Sequence, residues 1–233
     1  MSISVIIPAL NEEESIGQVL AEIPAKVVDE VLVVDGGSKD DTVAIARASG
    51  AKVVHEPRRG YGRACATGLA AAHGQVVVFV DGDGADDPTQ IHELVAPLLE
   101  EQAEMALGSR LAGQVETGAM PWHKWFGNWL SAGLIRILYG LQLTDLSPFR
   151  AVVRQQLLDL HMREMTYGWP TEMIVKAARR GWRVVEMPAR YRPRLGGRSK
   201  ISGTFKGTVL ATYYILWTIL RHAVQKDERA DTR

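Results

Sequence analysis

The chain has 233 residues, of which 46% are apolar, and its 27 basic side chains balance 27 acidic ones. This length supports one sizeable core, and zero net charge excludes bulk electrostatic binding of nucleic acid, although a basic patch lies near the C-terminus. The single cysteine, Cys65, has no partner for a disulfide within the chain, so we expect a reducing compartment.

Short segments rich in valine and isoleucine alternate with helical patterns through the first half of the chain. The predicted strands are residues 3–9, 30–35, 51–56 and 75–81, and the helices between and after them end near residues 23, 49, 72 and 101. This alternation is typical of βαβ units. We therefore predict an α/β fold with a mostly parallel sheet flanked by helices.

The second half of the chain is less regular. We predict a strand over 103–110, a tryptophan-rich helix over 121–140, helices near 151–160 and 169–180, and a strand over 182–191. The basic segment RPRLGGRSK and an apolar tail follow. These elements predict one α/β domain over residues 1–203, a C-terminal amphipathic helix over 204–225 that could lie on a membrane surface, and a frayed end over 226–233.

Polar side chains follow several of the predicted strands. Asn11, Ser38 and Asp87 stand where they could cap the next helix, and Pro88 supports the last of these assignments. In open α/β sheets ligands bind beyond the carboxyl ends of the strands. We therefore expect the functional site in these loops.

The segment VVFVDGDGADDP places Asp81 and Asp83 directly behind an apolar strand, separated by Gly82. Two carboxylates at this spacing can turn toward one point, and such oxygen ligands suit Mg²⁺ or Mn²⁺ when water and phosphate complete the coordination. The alternative is that they only cap the following helix, which we accept for Asp87. An EF-hand is excluded because Asp86 stands where that loop requires glycine.

Seven segments carry a family resemblance, in the order SVIIPALNEEESI, VLVVDGGSKDDT, VVFVDGDGADDP, LGSR, TDLSPFRA, TYGWPTEMIVKAARRGWRVVEMPARY and GGRSKISGT. Together they resemble a family 2 glycosyltransferase of the GT-A fold and are most similar to dolichyl- and polyprenyl-phosphate sugar transferases. The resemblance covers nearly all of residues 3–225 and does not specify the sugar.

The resemblance implies the donor side of a site. It implies that Asp81 and Asp83 bind a divalent ion, Mg²⁺ or Mn²⁺, which bridges the diphosphate of a nucleotide-sugar. It also implies that Asp35 contacts the base or the ribose of the nucleotide. The family's usual motif DDGS is DGGS in this chain, so one acidic contact is missing and the preferred base stays open. The remaining residues expected around the nucleotide-sugar are Pro8, Ala9, Asn11, Glu12 and Gly82.

The resemblance also implies an acceptor side. Asp145 matches the family's candidate general base, although it could instead be a structural partner of Arg150 or cap a turn. Glu172 matches another acidic contact on the acceptor side, and Arg110 is a candidate phosphate ligand. Arg198, Ser199 and Lys200 resemble a segment that closes over phosphates.

The predicted activity is inverting transfer of a hexosyl unit to a polyprenyl or dolichyl phosphate. A phosphate acceptor is already an anion near pH 7, so Asp145 would then orient rather than deprotonate. The alternatives are a soluble or saccharide acceptor, or a protein that binds a nucleotide-sugar without turnover. A rise in the melting temperature when nucleotide diphosphates are added would show that the protein binds them.

Aromatic side chains favour contact with a membrane surface. One helix carries four aromatic side chains that cover more of its surface than a single stripe facing the core would bury: Trp122, Trp125, Phe126 and Trp129. Tryptophan is also typical of the bilayer interface. The alternatives are core packing and a homodimer interface. The apolar run 207–220 is too short to span a bilayer. Since the N-terminus lacks signal-peptide features, we expect a cytoplasmic protein that rests on the cytoplasmic face of a membrane.

Overall fold

The computed structural model describes residues 1–196 and 205–224, and for residues 205–211 and His123 it describes the backbone alone. The strands are β1 (Ile3–Ala9), β2 (Glu30–Asp35), β3 (Lys52–His55), β4 (Val76–Phe79), β5 (Met105–Val115), β6 (Arg150–Val153) and β7 (Val184–Tyr191). They form a seven-stranded sheet in the order β3-β2-β1-β4-β6-β5-β7. In this part of the chain only β6 runs against the other strands, so the predicted α/β fold with a mostly parallel sheet is confirmed.

Helices connect the strands and cover the sheet. They are α1 (Ile16–Glu22), α2 (Thr42–Ala48), α3 (Tyr61–Ala71), α4 (Ile91–Leu99), α5 (Trp122–Tyr139), α6 (Arg154–Asp159), α7 (Trp169–Arg179) and α8 (Phe205–Val224). A short 3₁₀ helix, Pro88–Gln90, leads into α4.

Each face of the sheet buries its own apolar cluster. On one face Ile16 of α1 and Leu94 of α4 pack with the odd-numbered side chains of β1. On the other face Leu69 of α3 and Trp169 of α7 pack with Ile6 and its neighbours. Because successive side chains of a strand point to opposite faces, β1, in which Ser4 is the one polar residue, supplies both clusters.

The strand order creates a switch point between β1 and β4. From β1 the chain moves to β2 on one side, while β4 pairs with β1 on the other side. The loops that leave these two strands therefore diverge and form a crevice at the carboxyl edge of the sheet, which is where ligands bind in open α/β folds.

The prediction of a helix over 151–160 was wrong in its first part. Residues Arg150–Val153 form β6, which is inserted between β4 and β5, and helix α6 begins only at Arg154. The strand is four residues long, so no alternating pattern could mark it. Its antiparallel direction brings the preceding segment, 144–149, to the same edge as the carboxyl ends of the other strands.

The C-terminal helix packs on the domain. Ile219 of α8 is fully buried, its carbonyl accepts a hydrogen bond from Tyr139 of α5, and Arg179 of α7 donates to the carbonyl of His222 at 2.8 Å. Among the residues with a described position, no helix is both long and apolar enough to cross a bilayer. The predicted frayed end, 226–233, lies outside the described residues.

Candidate functional site

The loops after β1 and β2 are joined to each other. The backbone N–H of Asn11 donates to the Ser38 hydroxyl at 2.9 Å, and the N–H of Lys39 donates to the Asn11 side chain at 2.8 Å. The N–H of Glu12 donates to the hydroxyl of Thr42 at 2.8 Å. These bonds fix one wall of the crevice.

The same bonds correct two predicted helix caps. Helix α1 begins after Ser15 and helix α2 after Asp41, so neither Asn11 nor Ser38 is the N-cap residue. Their side chains have the right chemistry, but they bind the neighbouring loop instead of their own helix. The third prediction is confirmed, since Asp87 accepts a hydrogen bond from the N–H of Thr89 at 3.0 Å.

Asp35 lies at the end of β2, beside Ala9 of β1 in the sheet register. Its buried carboxylate accepts hydrogen bonds from the N–H groups of Gly37 and Ser38 at 3.2 and 2.9 Å and lies 3.1 Å from Nδ1 of His55. Burial alone would raise the pKa of Asp35, but the bonds from Ser38, His55 and Gly37 lower it overall. The carboxylate is therefore ionised and fixed in orientation.

The segment after β4, residues 81–87, forms what we call the acid loop. Asp81 accepts a hydrogen bond from the hydroxyl of Tyr61 at 3.0 Å. Asp83 accepts from the N–H of Ala85 at 3.0 Å through Oδ1 and from Arg194 at 2.6 Å through Oδ2. Burial, and then the charge of Asp83, raise the pKa of Asp81 to about 7. The negative charge of the acid loop therefore exceeds the positive charge of the side chains around it.

A further carboxyl of the acid loop increases this excess. Asp86 is 1% exposed, and among the described residues its Oδ1 has no hydrogen-bond partner. Burial, followed by the charge of Asp81, raises the pKa of Asp86 well above its usual value. A positive charge beside Asp81 and Asp83 would stabilise all three ionised carboxylates.

The acid loop fits a divalent ion of the kind that the sequence predicts. Asp81 and Asp83 supply hard oxygen ligands, and no group of three or more His, Cys, Asp or Glu side chains in the described ranges could enclose an ion by itself. Such a site leaves coordination positions for water and for the oxygens of a diphosphate, as Mg²⁺ sites commonly do. Gly82 lies against β1, and its carbonyl accepts a hydrogen bond from Ser15 at 2.8 Å.

Arg110 and Asp145 form a buried ion pair that we call the buried pair. Two guanidinium nitrogens of Arg110 donate to the two carboxylate oxygens of Asp145 at 2.7 Å each, and the N–H of Arg110 adds a bond at 3.0 Å. Asp145 is fully buried, and the guanidinium also lies 5.1 Å from the centre of the Tyr191 ring. Burial opposes the charge of Arg110, but the bonds from Asp145 raise its pKa overall.

The expected alternative partner of Asp145 was Arg150, and this pairing was wrong. Arg150 donates to the carbonyl oxygens of Ser147 and Pro170, and burial lowers its pKa to about 10. The loop that carries Asp145 is instead held from the strand side, because Glu186 of β7 accepts from the N–H groups of Thr144 and Asp145 at 2.9 and 3.0 Å.

Glu172 lies on α7 and is 1% exposed. Its carboxylate accepts hydrogen bonds from the N–H groups of Arg163 and Glu164 and pairs with Lys176 at 2.7 Å. These contacts give Glu172 a role in holding the segment before α7. Its predicted contact with an acceptor stays a prediction.

The basic segment after β7 is described only in part. Arg198, Ser199 and Lys200, which we expect to bind phosphate, lie outside the described residues. Arg192 and Arg194 are described, and both reach the acid loop: Arg192 donates to the carbonyl of Gly84 at 2.7 Å, and Arg194 binds Asp83. In the described part of this segment both arginines bind oxygen atoms of the acid loop, and the predicted contact with phosphate stays a prediction.

Lys124 is a cation near the site that the sequence analysis missed. It is half buried on α5, and its side chain makes no hydrogen bond or ion pair with the residues that the structure describes. Burial, followed by the positive charge of Arg110, lowers the pKa of Lys124. No local signal marked this residue, because one lysine between tryptophans on a helix has no motif.

A cavity of about 490 Å³ connects the buried pair with helix α5. It is lined by Arg110, Leu111, Gly113, Val115, Met120, Trp122 and Trp125. Trp122, Trp125, Phe126 and Trp129, which we call the aromatic patch, are 79%, 50%, 48% and 57% exposed. Core packing, one of the alternatives for these side chains, is therefore wrong.

Sequence comparisons identify relatives over most of the chain. Residues 4–161, which include both the acid loop and the buried pair, match the family model for glycosyl transferase family 2. An uncharacterized glycosyltransferase of Mycobacterium tuberculosis is 41% identical over 90% of this chain and 94% of its own length. A dolichyl-phosphate hexose transferase of Haloferax volcanii is 34% identical over 83% of this chain and 84% of its own length.

Solved structures show the same architecture. Glucosyl-3-phosphoglycerate synthase of M. tuberculosis, in complex with Mn²⁺, UDP-glucose and phosphoglyceric acid, matches 97% of this chain and 81% of its own with a TM-score of 0.77 and 28% identity. Another structure of that enzyme contains Mg²⁺ and UDP. The GT-A fold that the motifs imply is confirmed by this similarity.

Proposed function

Since the chain belongs to glycosyl transferase family 2, we propose that it transfers a hexosyl unit from a nucleotide-sugar to polyprenyl or dolichyl phosphate. The observation that carries this proposal is the acid loop at the switch point of the sheet, where Asp81 and Asp83 lie in an excess of negative charge. The donor is of the GDP-mannose or UDP-glucose type.

On the donor side, Asp81 and Asp83 hold Mg²⁺ or Mn²⁺ as the cofactor. When bound, the ion stabilises the negative charge that develops on the departing nucleoside diphosphate. The nucleotide-sugar lies in the crevice between β1 and β4. Asp35 contacts the base or ribose, and the other surrounding residues are Pro8, Ala9, Asn11, Glu12 and Gly82.

On the acceptor side, the ammonium group of Lys124, which has no ion-pair partner among the described residues, and the guanidinium of Arg110 favour an anionic group. An anion beside Lys124 would compensate the burial and the neighbouring positive charge that now lower the pKa of its ammonium group. Trp122 and Trp125 line the cavity that begins at Arg110. A molecule with a phosphate and an apolar chain matches both features.

The acceptor phosphate attacks without a general base. Its oxygen forms a bond to the anomeric carbon, and the bond from that carbon to the diphosphate oxygen breaks, which inverts the configuration. A phosphomonoester with a second pKa of about 6 is already an anion near pH 7. Asp145, whose two oxygens are both bound by Arg110, orients that guanidinium toward the phosphate.

The aromatic patch supports the proposal that this acceptor lies at a membrane surface. Trp122, Trp125 and Trp129 are at least half exposed on one helix, and tryptophan is enriched where a bilayer meets water. We assign the protein to the cytoplasmic face of a membrane as a peripheral protein. A homodimer that covers the patch is the competing assignment.

A soluble phosphate-bearing acceptor is the second candidate. The observation that favours it is the similarity over 97% of the chain to an enzyme whose structure holds phosphoglyceric acid. Arg110 and Lys124 would bind that phosphate too, but the apolar cavity and the exposed tryptophans would then have no counterpart in the substrate. We therefore rank the lipid acceptor first.

Transfer assays separate these acceptors. UDP-glucose and GDP-mannose, each with Mn²⁺, are offered with polyprenyl phosphate in detergent or with 3-phosphoglycerate. We expect a lipid-linked sugar, and a phosphoglycerate product alone would overturn the lipid assignment.

Lys124→Met should raise the KM for the acceptor about tenfold, since it removes one charged hydrogen bond, and leave the KM for the donor unchanged. Lys26→Met, at an exposed position before β2, is the matched control and should change neither value.

A further inference from the structure

The segment after β7 folds back onto the acid loop. The N–H of Arg192 donates to the carbonyl of Ala85 at 2.9 Å, and the N–H of Leu195 donates to the carbonyl of Asp83 at 3.1 Å. The Leu195 side chain packs on Gly84, where a Cβ would lie 2.4 Å from Leu195 and where φ is +72°. Only glycine fits both the space and this backbone conformation. The segment is thus attached to the loop that carries the proposed metal ligands.

Arg194 uses this attachment to bridge two carboxylates. One terminal nitrogen donates to Asp83 at 2.6 Å, and the other donates to the two carboxylate oxygens of Glu12 at 2.9 and 2.7 Å. The side chains of Arg194, Asp83 and Glu12 are 23%, 16% and 8% exposed. The guanidinium therefore holds a positive charge between the acid loop and the loop after β1, which are the two loops that form the crevice.

This bridge conflicts with metal binding by Asp83. Each oxygen of Asp83 accepts one hydrogen bond, from the N–H of Ala85 or from Arg194, and the charged guanidinium repels a cation at the same carboxylate, so an ion binds Asp83 tightly only when Arg194 moves away. The backbone bond belongs to the loop itself. The bond from Arg194 is the one that a ligand can replace, because a diphosphate offers a guanidinium the same bidentate pairing as a carboxylate.

We propose that Arg194 is an exchange residue that couples binding of the metal to binding of the nucleotide. In the free protein it pairs with both Asp83 and Glu12 and offsets one of their two negative charges. When the nucleotide enters with its ion, Arg194 moves from Asp83 to the diphosphate, and Asp83 becomes available to the ion. The proposal rests on the proposed function, since it takes the donor to be a nucleoside diphosphate sugar.

Two consequences follow from this exchange. The metal alone binds weakly, because it must displace Arg194 without offering the guanidinium a new anion. Metal and nucleotide therefore bind with positive coupling, in which each raises the affinity for the other by the same factor. The protein takes up the donor and the ion together, and free metal does not fill the site in advance.

Binding of Mn²⁺, measured by electron paramagnetic resonance with and without UDP or GDP, tests the proposal without turnover. In the wild type we expect a nucleotide to raise the Mn²⁺ affinity by at least about tenfold, within the usual range of coupling between sites. Arg194→Met keeps the apolar stem and removes the charge. This variant should bind Mn²⁺ alone about tenfold more tightly, and its coupling to the nucleotide should be weaker than in the wild type, with only the part that the ion's own contact with the diphosphate supplies remaining.

Arg192→Met is the matched control. Arg192 lies two residues away and binds Glu22 and the carbonyl of Gly84 without contacting Asp83, so its loss should leave the affinity for Mn²⁺ alone unchanged. Arg194→Lys keeps the charge but lacks the fork that spans two carboxylates, and we expect an intermediate effect. If Arg194→Met does not fold by thermal melting, the lysine variant carries the test.

The outcomes separate this inference from the function on which it rests. If the wild type binds Mn²⁺ with a nucleotide but Arg194→Met binds Mn²⁺ alone no more tightly, the exchange is overturned and the proposed function stands. If the wild type binds no Mn²⁺ with either nucleotide, both are overturned. If Arg192→Met tightens Mn²⁺ binding as much as Arg194→Met, the effect is general electrostatics, and the exchange is also overturned.

Discussion

The acid loop and the buried pair lie at the same edge of the sheet, yet they balance negative charge in opposite ways. In the acid loop the pKa of Asp81 is raised to about 7 and that of Asp86 is also raised, because burial and neighbouring carboxylates outweigh the cations nearby. In the buried pair one guanidinium matches one carboxylate through two hydrogen bonds, and the backbone N–H of Arg110 adds a third. The first arrangement favours an added cation, while the second holds the acceptor side rigid.

The largest effect should come from unbalancing the buried pair. Asp145→Asn keeps the volume of the side chain but leaves the Arg110 guanidinium buried without its counter-charge, so we expect the free energy of unfolding to fall by about 3–5 kcal/mol. Urea denaturation measures the change. The double variant Arg110→Met, Asp145→Leu should regain most of the lost stability and still bind the acceptor poorly. A loss below about 1 kcal/mol in Asp145→Asn would mean that the pair behaves like an exposed one.

A change in the acid loop should act on activity and not on stability. Asp83→Asn removes a ligand of the proposed ion, and we expect the transfer rate to fall about 100-fold, equal to about 2.7 kcal/mol of activation free energy. The melting temperature should change little, because the relief of repulsion with Asp81 offsets the loss of the ion pair with Arg194. Steady-state rates with saturating Mn²⁺ and thermal melts measure both effects. Turnover within a factor of about three of the wild type contradicts the assignment of Asp83 as a ligand.

The pKa of Asp81 gives the metal-free protein a specific pH dependence. Its pKa is raised from 3.8 to about 7 by burial and by Asp83, so between these values the folded state binds a proton that the unfolded chain has released. The free energy of unfolding should therefore fall as the pH rises through this window, by up to about 1.4 kcal/mol per pH unit. The measurement compares urea denaturation of wild type and Asp81→Asn in chelator from pH 4.5 to 8. A difference between the two proteins that does not change with pH would falsify this assignment.

The parts of this molecule that could be predicted from sequence are those with local signals. Strand β1 is apolar at every position except Ser4, and the aspartates of the acid loop stand out because they come directly after the buried apolar strand β4. The cap formed by Asp87 was predicted because its partner lies two residues away. In each case the residues that determine the structure are neighbours in the chain.

The parts that could not be predicted depend on contacts across the fold. Arg194 and Asp83 are 111 positions apart, and Arg110 and Asp145 are 35 apart, so no sequence window contains both members. Strand β6 was not predicted for a similar reason. Its four residues form a strand because β4 and β5 offer pairing edges on both sides. The chemistry of Asn11 was correctly identified, but its partner lies in the next loop.

The smallest effect should come from Asp87, the aspartate of the acid loop that caps the 3₁₀ helix before α4. Asp87 binds the N–H and hydroxyl of Thr89 at 3.0 and 2.6 Å and lies 3.4 Å from the exposed Arg190. Asp87→Ala should lower the free energy of unfolding by about 1 kcal/mol, the usual cost of losing a cap, and should leave the affinity for Mn²⁺ with a nucleotide unchanged. Binding and denaturation measurements on one preparation test both parts. If this variant lost Mn²⁺ binding as Asp83→Asn is expected to, the excess charge of the whole loop would hold the ion, and the assignment to Asp81 and Asp83 would be too narrow.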